Sequence, residues 1–190
     1  MRFSALILAG GRSLRMGRDK ATLEVGGQPL LARQIELARQ AGADDVLVSG
    51  RADADYSAFG CEVLIDFYPE AGPLAGVERG LATAAAPLLL VLAVDLPRMT
   101  VEFLQRLLLE CRAESGVVPE MGGRLEPLAA VYPHRAHALA VEYLRAGKNG
   151  MQDFAAEIEK TGGLRRLPVT SAEEALFLNW NTPDLGLFHR

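Results

Sequence analysis

Short apolar runs and longer amphipathic stretches alternate along the first hundred residues of the chain. The apolar runs cover residues 4–8, 45–49, 61–65 and 88–93, and they are nearly continuous in Val, Ile, Leu and Ala. Such runs are typical of strands that are covered on both faces, as in a parallel sheet. We therefore predict four buried strands in this part of the chain.

The stretches between and after these runs have helical spacing over residues 29–41, 74–85 and 101–113. Pro29 suits a first helical position, and Gly42 stands where a left-handed residue would end that helix. The hydroxyl of Thr100 can cap the third helix. Alternating strands and helices of this kind predict an α/β fold, a three-layer, doubly wound and mostly parallel sheet.

The second half of the chain breaks this alternation. Gly122-Gly123 lies between short apolar runs, which predicts a hairpin or mixed strand over residues 120–132. We predict helices over 134–146 and 151–160, a short edge strand over 164–169, and a last helix from Thr182-Pro183. No repeat or linker is evident, so we expect one domain over residues 1–190.

The composition of the chain limits the classes of partner that it can bind. The chain has 190 residues, of which 49% are hydrophobic and 23% charged, with a net charge of −4. These values are ordinary for a soluble globular protein and argue against a nucleic-acid partner held by a broad basic surface. No apolar stretch approaches a membrane span, and the N-terminus lacks the features of a signal peptide. We expect a cytoplasmic protein with no membrane partner.

A glycine-rich, basic segment follows the first predicted strand. Gly10 and Gly11 permit close backbone approach and let amide N–H groups point at phosphate oxygens. Four cations follow within nine residues: Arg12, Arg15, Arg18 and Lys20. This local density favours a polyanionic ligand, although the spacing matches neither the P-loop nor the dinucleotide fingerprint. A solvated turn with surface arginines is the alternative interpretation.

A single carboxylate, Asp95, follows the strand predicted over residues 88–93. In a parallel sheet it would lie at the same carboxyl edge as the glycine-rich segment. Magnesium is commonly held by one or two carboxylates together with substrate phosphates. The alternative is a turn aspartate that stabilises the loop before Pro97.

The segment LAGGRSLRMGRDKA, residues 8–21, resembles the signature LAGGxSxRMGxDKA of the molybdenum cofactor guanylyltransferases at every fixed position. The resemblance implies a Rossmann-like nucleotidyltransferase fold. It also implies that the loop wraps the nucleotide through Leu8, Ala9, Gly10, Gly11, Arg15 and Lys20. Of these, Arg15 and Lys20 would be catalytic and meet the triphosphate. Relatives that use CTP tend to carry Ala-Ala-Gly in place of Ala9-Gly10-Gly11, so this version favours guanine.

The same resemblance extends to other segments. It makes Asp95 the catalytic magnesium ligand, because the family carries an Asp-x-Pro here. Asp66 matches an aspartate of the family's nucleotide site, and Ser49 stands where the family often has an asparagine. The run NWNTPD, residues 179–184, resembles NxNTPED, whose asparagines, here Asn179 and Asn181, would reach the metal or a substrate phosphate.

Two more segments belong to the resemblance. GPLAG, residues 72–76, matches a family segment, and EPLAAVY, residues 126–132, resembles an EPLxAxY-like stretch. The pterin part of the substrate is expected near the latter and near the C-terminal helices. Arg124 is a candidate for the pterin phosphate, and a solvated hairpin charge is the other interpretation.

The implied reaction is transfer of GMP from GTP to the terminal phosphate of molybdopterin with release of pyrophosphate and with Mg²⁺ as cofactor. Residues 1–100 would form the nucleotide-binding half and residues 101–190 the acceptor half. The resemblance further implies transient contacts with cofactor-insertion proteins or molybdoenzymes, and we expect a monomer or weak oligomer. The alternatives are a cytidylyltransferase of the same cofactor, another small nucleotidyltransferase with a phosphate acceptor, and a non-catalytic nucleotide-binding adaptor.

Overall fold

The structure is a computed structural model that describes residues 1–10, 19–68 and 70–180. Its strands, in chain order, are β1 (Ser4–Leu8), β2 (Glu24–Val25), β3 (Gln28–Pro29), β4 (Val46–Ser49), β5 (Glu62–Leu64), β6 (Leu88–Ala93), β7 (Gly116–Met121), β8 (Arg124–Leu125), β9 (Ala129–Pro133) and β10 (Leu164–Pro168). Its α-helices are α1 (Leu30–Gln40), α2 (Pro73–Thr83), α3 (Val101–Leu109), α4 (His137–Arg145) and α5 (Met151–Lys160). Short 3₁₀ turns cover Lys20–Thr22, Ser57–Phe59, His134–Ala136 and Glu174–Phe177.

One mixed sheet organises the fold, with strand order β10-β7-β9-β6-β1-β4-β5 and β8 paired to β7. Strands β6, β1, β4 and β5 are mutually parallel, β10 is parallel to β7, and β9 runs antiparallel to β6 and β7. The predicted mostly parallel sheet is confirmed. Leu8 is in register with both Ser49 and Ala93, so the central strands end at one common edge.

Helices cover both faces of this sheet, which confirms the predicted doubly wound arrangement. Alternate residues of β1 belong to different hydrophobic clusters, Ala5 and Ile7 to one and Leu6 and Leu8 to the other. The first cluster takes its helical residues from α1 and α3, and the second from α2, α4 and α5. Because side chains point to opposite faces along a strand, the two clusters are the two sides of the sheet.

The predicted elements of the first half are confirmed with ends shifted by one or two residues, except that α3 ends at Leu109, before the predicted end at 113. Helix α1 begins at Leu30 because Pro29 is extended and pairs with Glu24 in the small β2–β3 hairpin. Gly42 has a φ of 98° and follows the end of α1, as its position predicts. The hydroxyl of Thr100 accepts from the amide of Phe103 at 3.3 Å and caps α3.

The second half also follows the predicted pattern. Gly122 and Gly123, with φ of 58° and 80°, form the tight turn that joins β7 to β8. Helix α5 has the predicted bounds, and β10 lies at the edge of the sheet as expected. The helix predicted from Thr182 lies outside the described residues. In the part of the chain that the structure describes, no helix has the length and apolar character needed to cross a bilayer.

Candidate active site

The chain leaving β1 is fixed between its two neighbouring strands at the carboxyl edge. The amides of Ala9 and Gly10 both donate to the carbonyl of Ser49 on β4, each at 2.9 Å. On the other side, the amide of Val94 donates to the carbonyl of Leu8 at 3.1 Å. The glycine-rich segment therefore starts from a rigid point at the centre of the sheet edge.

This pairing corrects one detail expected from the sequence. The amide of Gly10 is predicted to point at a phosphate, but it donates to Ser49 because the β1–β4 pairing continues past the end of the strand. Because Gly10 has no side chain, a ligand can still approach the backbone closely at this position. The expected site residues Gly11, Arg15 and Asn181 lie outside the described residues, so their predicted roles stay predictions.

Lys20 and Asp95 meet at this edge, although 75 positions separate them in sequence. The Lys20 Nζ atom donates to Asp95 Oδ2 at 2.9 Å, and the two side chains are 23% and 21% exposed. Lys20 opens the 3₁₀ turn after the glycine-rich segment, and Asp95 follows the end of β6. The structure thus brings together two of the residues that the sequence predicts to be catalytic.

The turn that carries Lys20 is held by Asp19. One carboxylate oxygen of Asp19 accepts from the amide of Ala21 at 3.0 Å, and the other accepts from the hydroxyl of Tyr56 at 2.7 Å. From sequence alone, neither Asp19 nor Tyr56 is predicted to have a role. An aspartate directly before a short helical turn is a recognisable capping signal. Tyr56 carries no such signal, because its contact depends on the tertiary fold.

A second pair, Ser49 and Asp66, lies on the β4–β5 side of β1. Ser49 is buried at 3% exposure, and its hydroxyl donates to Asp66 Oδ1 at a long 3.4 Å. Burial raises the pKa of the Asp66 carboxyl, while the Ser49 hydrogen bond and the positive charge of Arg79 oppose that shift. Asp66 is thus a half-buried acceptor whose hydrogen bond to Ser49 is long.

The GPLAG segment lets α2 approach this pair. Gly72 has a φ of 69° and precedes Pro73, which takes the first helical position. A Cβ atom on Gly76 would lie 2.4 Å from the Ser49 hydroxyl oxygen and 2.9 Å from a methyl group of Leu8. Glycine is therefore required at position 76 for α2 to pack against the ends of β1 and β4.

The C-terminal part of the described chain returns to the same edge. The amide of Trp180 donates to the carbonyl of Asp95 at 2.9 Å, which places the exposed Asn179 next to the Asp95 loop. Phe177 anchors this segment by edge-to-face packing on Phe103, with ring centroids 5.3 Å apart. Asn179 is thus close in the fold to the predicted metal ligand.

The β8–β9 connection approaches from the other side of Asp95. The amide of Ala93, at the end of β6, donates to the carbonyl of Leu128 at 2.8 Å. Tyr132, which is fully buried, donates through its hydroxyl to Pro127 at 2.8 Å and fixes the connection. Arg124 is exposed, and burial raises the pKa of Glu126. This segment therefore borders the same edge as the Lys20–Asp95 pair.

The donor set around Asp95 determines which metal would fit. Within residues 1–10, 19–68 and 70–180, no group of three or more His, Cys, Asp or Glu side chains could hold a metal ion. A single partly exposed carboxylate suits a hard divalent cation whose other ligands are substrate phosphates and water. Such a site fits a divalent cation bound together with a nucleotide.

Residues 5–161 match the model of a known family, the MobA-like NTP transferase domain. The chain belongs to this family. The "Probable molybdenum cofactor guanylyltransferase" of Opitutus terrae is 40% identical over 181 residues, which cover 94% of this chain and 90% of the relative. The "Molybdenum cofactor guanylyltransferase" of Xanthomonas euvesicatoria is 36% identical over 189 residues, covering 96% of this chain and 91% of the relative.

A solved structure of another protein has the same fold as this MobA-like NTP transferase. It is that of molybdopterin-guanine dinucleotide biosynthesis protein A from Archaeoglobus fulgidus, with a TM-score of 0.73 and 22% identity. The match covers 95% of this chain and 93% of that one. The predicted family and nucleotidyltransferase fold are therefore confirmed.

Proposed function

We propose that this MobA-like transferase joins GMP from GTP to the terminal phosphate of molybdopterin and releases pyrophosphate. The observation that carries the proposal is the Lys20–Asp95 pair, held at 2.9 Å at the carboxyl edge beside the glycine-rich segment. That pair supplies the cation and the carboxylate that phosphoryl-type transfer requires. The names of the relatives support guanine as the base and molybdopterin as the acceptor.

The chemistry needs positioning and charge neutralisation more than a base. An oxygen of the acceptor phosphate forms a bond to the α-phosphorus of GTP, and the bond from that phosphorus to the bridging oxygen of pyrophosphate breaks. The attacking oxygen is already anionic, so no side chain has to remove a proton. Lys20 and Arg15 oppose the charge that gathers on the departing pyrophosphate.

Asp95 would hold the magnesium ion. When bound, Mg²⁺ neutralises phosphate oxygens and acts as a Lewis acid at the transferred group. In the described structure Asp95 is paired with the ammonium group of Lys20. We infer that Lys20 would leave Asp95 for the triphosphate in the nucleotide complex, so that the Asp95 carboxylate would be available to hold the metal ion.

The remaining residues divide between nucleotide and acceptor. The nucleotide would be surrounded by Leu8, Ala9, Gly10 and Gly11. Its base or ribose would form hydrogen bonds with Asp66 and Ser49. A phosphate would be reached by Asn179 and Asn181. The β8–β9 side of the edge, with Arg124, would meet the pterin phosphate. We propose one domain over residues 1–190, with a nucleotide half (1–100) and an acceptor half (101–190), and the main sheet, which has strands from both halves, supports it.

Pyrophosphate release tests the proposal. The purified protein is supplied with magnesium, molybdopterin, and GTP, CTP, ATP or UTP in parallel. We expect release with GTP, and only slow release with the other three. A preference for CTP would replace the guanylyl assignment by a cytidylyl one. Nucleotide binding without release from any mixture would indicate an adaptor or a transferase with a different acceptor.

A further inference from the structure

Tyr56 joins the strand that borders the nucleotide site to the turn that carries Lys20. It lies beyond β4, is 2% exposed, and donates through its hydroxyl to Asp19 Oδ2 at 2.7 Å. Its ring packs over Gly50, where a Cβ atom would come within 2.6 Å of a ring carbon. The ring therefore reaches Asp19 only because position 50 has no side chain.

The contact places a constraint directly before Lys20. Asp19 uses one carboxylate oxygen for Tyr56 and the other for the amide of Ala21, at 3.0 Å. Its carbonyl accepts from the amide of Thr22 at 3.2 Å. Asp19, the residue before the Lys20–Thr22 turn, is thus bonded both to the turn and to Tyr56, and Lys20 extends from this turn to Asp95.

The hydroxyl of Tyr56 remains a donor across the working pH range. Burial, followed by the hydrogen bond to the Asp19 carboxylate, raises the pKa of Tyr56 to about 12. A tyrosine that keeps its proton donates continuously, and a hydrogen bond to a carboxylate is stronger than one between neutral groups. Loss of the Tyr56 proton therefore does not break this hydrogen bond near neutral pH.

We propose that Tyr56 is a positioning residue that acts through Asp19 to hold Lys20 at the reacting phosphates. The inference rests on the proposed function for the role of Lys20, but the link itself belongs to the free protein. Because Tyr56 is only 2% exposed, the role proposed for it is orientation of the turn and not contact with substrate. A misplacement of about 1 Å is enough to slow an enzyme by roughly 10²-fold, so a lost constraint on the lysine should be visible in turnover.

Hydrogen exchange in the free protein tests the link without any substrate. Tyr56→Phe keeps the buried ring and removes only the hydroxyl, so we expect faster exchange of the amides in residues 20–23. Tyr143→Phe is the matched control, because its hydroxyl makes only a long 3.4 Å contact to the Asp153 carbonyl on the other half of the chain. Unchanged exchange in residues 20–23 of Tyr56→Phe would overturn the proposal.

A double-mutant cycle tests the action through Lys20. We expect Tyr56→Phe to lower kcat for GTP about tenfold with little change in KM, and to have no further effect when Lys20 is already alanine. Equal losses in both backgrounds would mean that Tyr56 serves general stability and not the lysine. If the wild-type protein releases no pyrophosphate, the proposed function fails, while the exchange experiment still decides whether Tyr56 holds the turn.

Discussion

Two aspartates at the same edge of the sheet occupy equivalent positions in their strands and have different surroundings. Asp95 follows the last residue of β6 by two positions, and Asp66 follows the last residue of β5 by two positions. They lie on opposite sides of β1, since the strand order is β6-β1-β4-β5. Asp95 contacts an ammonium group at 2.9 Å, whereas Asp66 contacts a hydroxyl at 3.4 Å.

The difference shows that the chemical role of a carboxylate depends on the group it contacts as well as on the residue type. A carboxylate paired with a cation is neutralised and can exchange that cation for another. A half-buried carboxylate without a cation in hydrogen-bond contact has lost water and keeps acceptor capacity. We therefore propose that Asp95 holds a metal ion that in turn meets the triphosphate, and that Asp66 accepts from N–H or O–H groups of a nucleoside.

The largest expected effect comes from removing the charge of Asp95. Asp95→Asn keeps the size of the side chain but cannot balance a divalent cation. A metal ion contributes several kcal/mol to transition-state stabilisation, and about 1.4 kcal/mol corresponds to tenfold in rate. We expect magnesium-dependent pyrophosphate release to fall by roughly a thousandfold or more, with thermal unfolding little changed.

Asp44→Asn is the matched control for this change. Asp44 also pairs with a cation, Arg2 at 2.8 Å, but the pair lies beside the amino end of β1 and is more exposed. Exposed ion pairs contribute little, so this variant should retain full turnover. Full activity in Asp95→Asn would remove Asp95 from the metal site.

Most of the fold could be predicted from the sequence because its central strands are buried on both faces. Runs such as LLLVLA in β6 leave few alternatives to a covered parallel strand, and all six residues are indeed buried. The start of α1 was harder to predict, since Pro29 suits both a first helical turn and an extended residue. In the structure Pro29 is extended because it belongs to the β2–β3 hairpin. This hairpin has only two residue pairs, too few to give a recognisable sequence pattern.

Site residues could be predicted only where a short sequence motif marks them, and contacts between distant residues could not. Lys20 and Asp95 are each marked by their neighbours in the chain, but their direct contact depends on the tertiary fold. The hydrogen bond between Tyr56 and Asp19 spans 37 positions and has no pattern in the sequence. The hydrogen bond from the Gly10 amide to the Ser49 carbonyl likewise depends on how far the pairing of β1 and β4 extends.

The second largest effect is expected for Lys20→Met, which removes the ammonium group and keeps most of the aliphatic chain. Loss of one electrostatic donor at a reacting group costs roughly 10²-fold in kcat. The same change leaves Asp95 without its cation, so Mn²⁺ should bind the free variant more tightly than the free wild-type protein. Electron paramagnetic resonance titration with Mn²⁺ measures this binding without turnover.

Lys160→Met provides the control for that titration, because Lys160 pairs with Glu157 on the surface at 2.9 Å. It should change neither turnover nor Mn²⁺ binding. If Lys20→Met bound Mn²⁺ as weakly as the wild-type protein, the exchange of cations at Asp95 would be wrong even though Lys20 still served the triphosphate.

The smallest effects concern Asp66 and test the other side of the comparison. A hydrogen bond to a charged group contributes about 1.5–3 kcal/mol, so Asp66→Asn should weaken GTP binding about tenfold or more at neutral pH. It should not lower the melting temperature there, because burial raises the pKa of Asp66 and so disfavours the charge that asparagine removes. Calorimetric titration with GTP and a melting curve check both expectations.

The acid side of the pH profile then separates Asp66 from other groups. Because its pKa is raised, the carboxylate is lost as pH falls through a value above that of an ordinary aspartate, and GTP affinity should fall with it. Ser49→Ala removes a hydrogen bond that lowers this pKa, so the fall should move to higher pH, with a change of about tenfold or less at neutral pH. Asp66→Asn should lack this step altogether. An acid limb that is the same in all three proteins would show that another group, and not Asp66, meets the nucleoside.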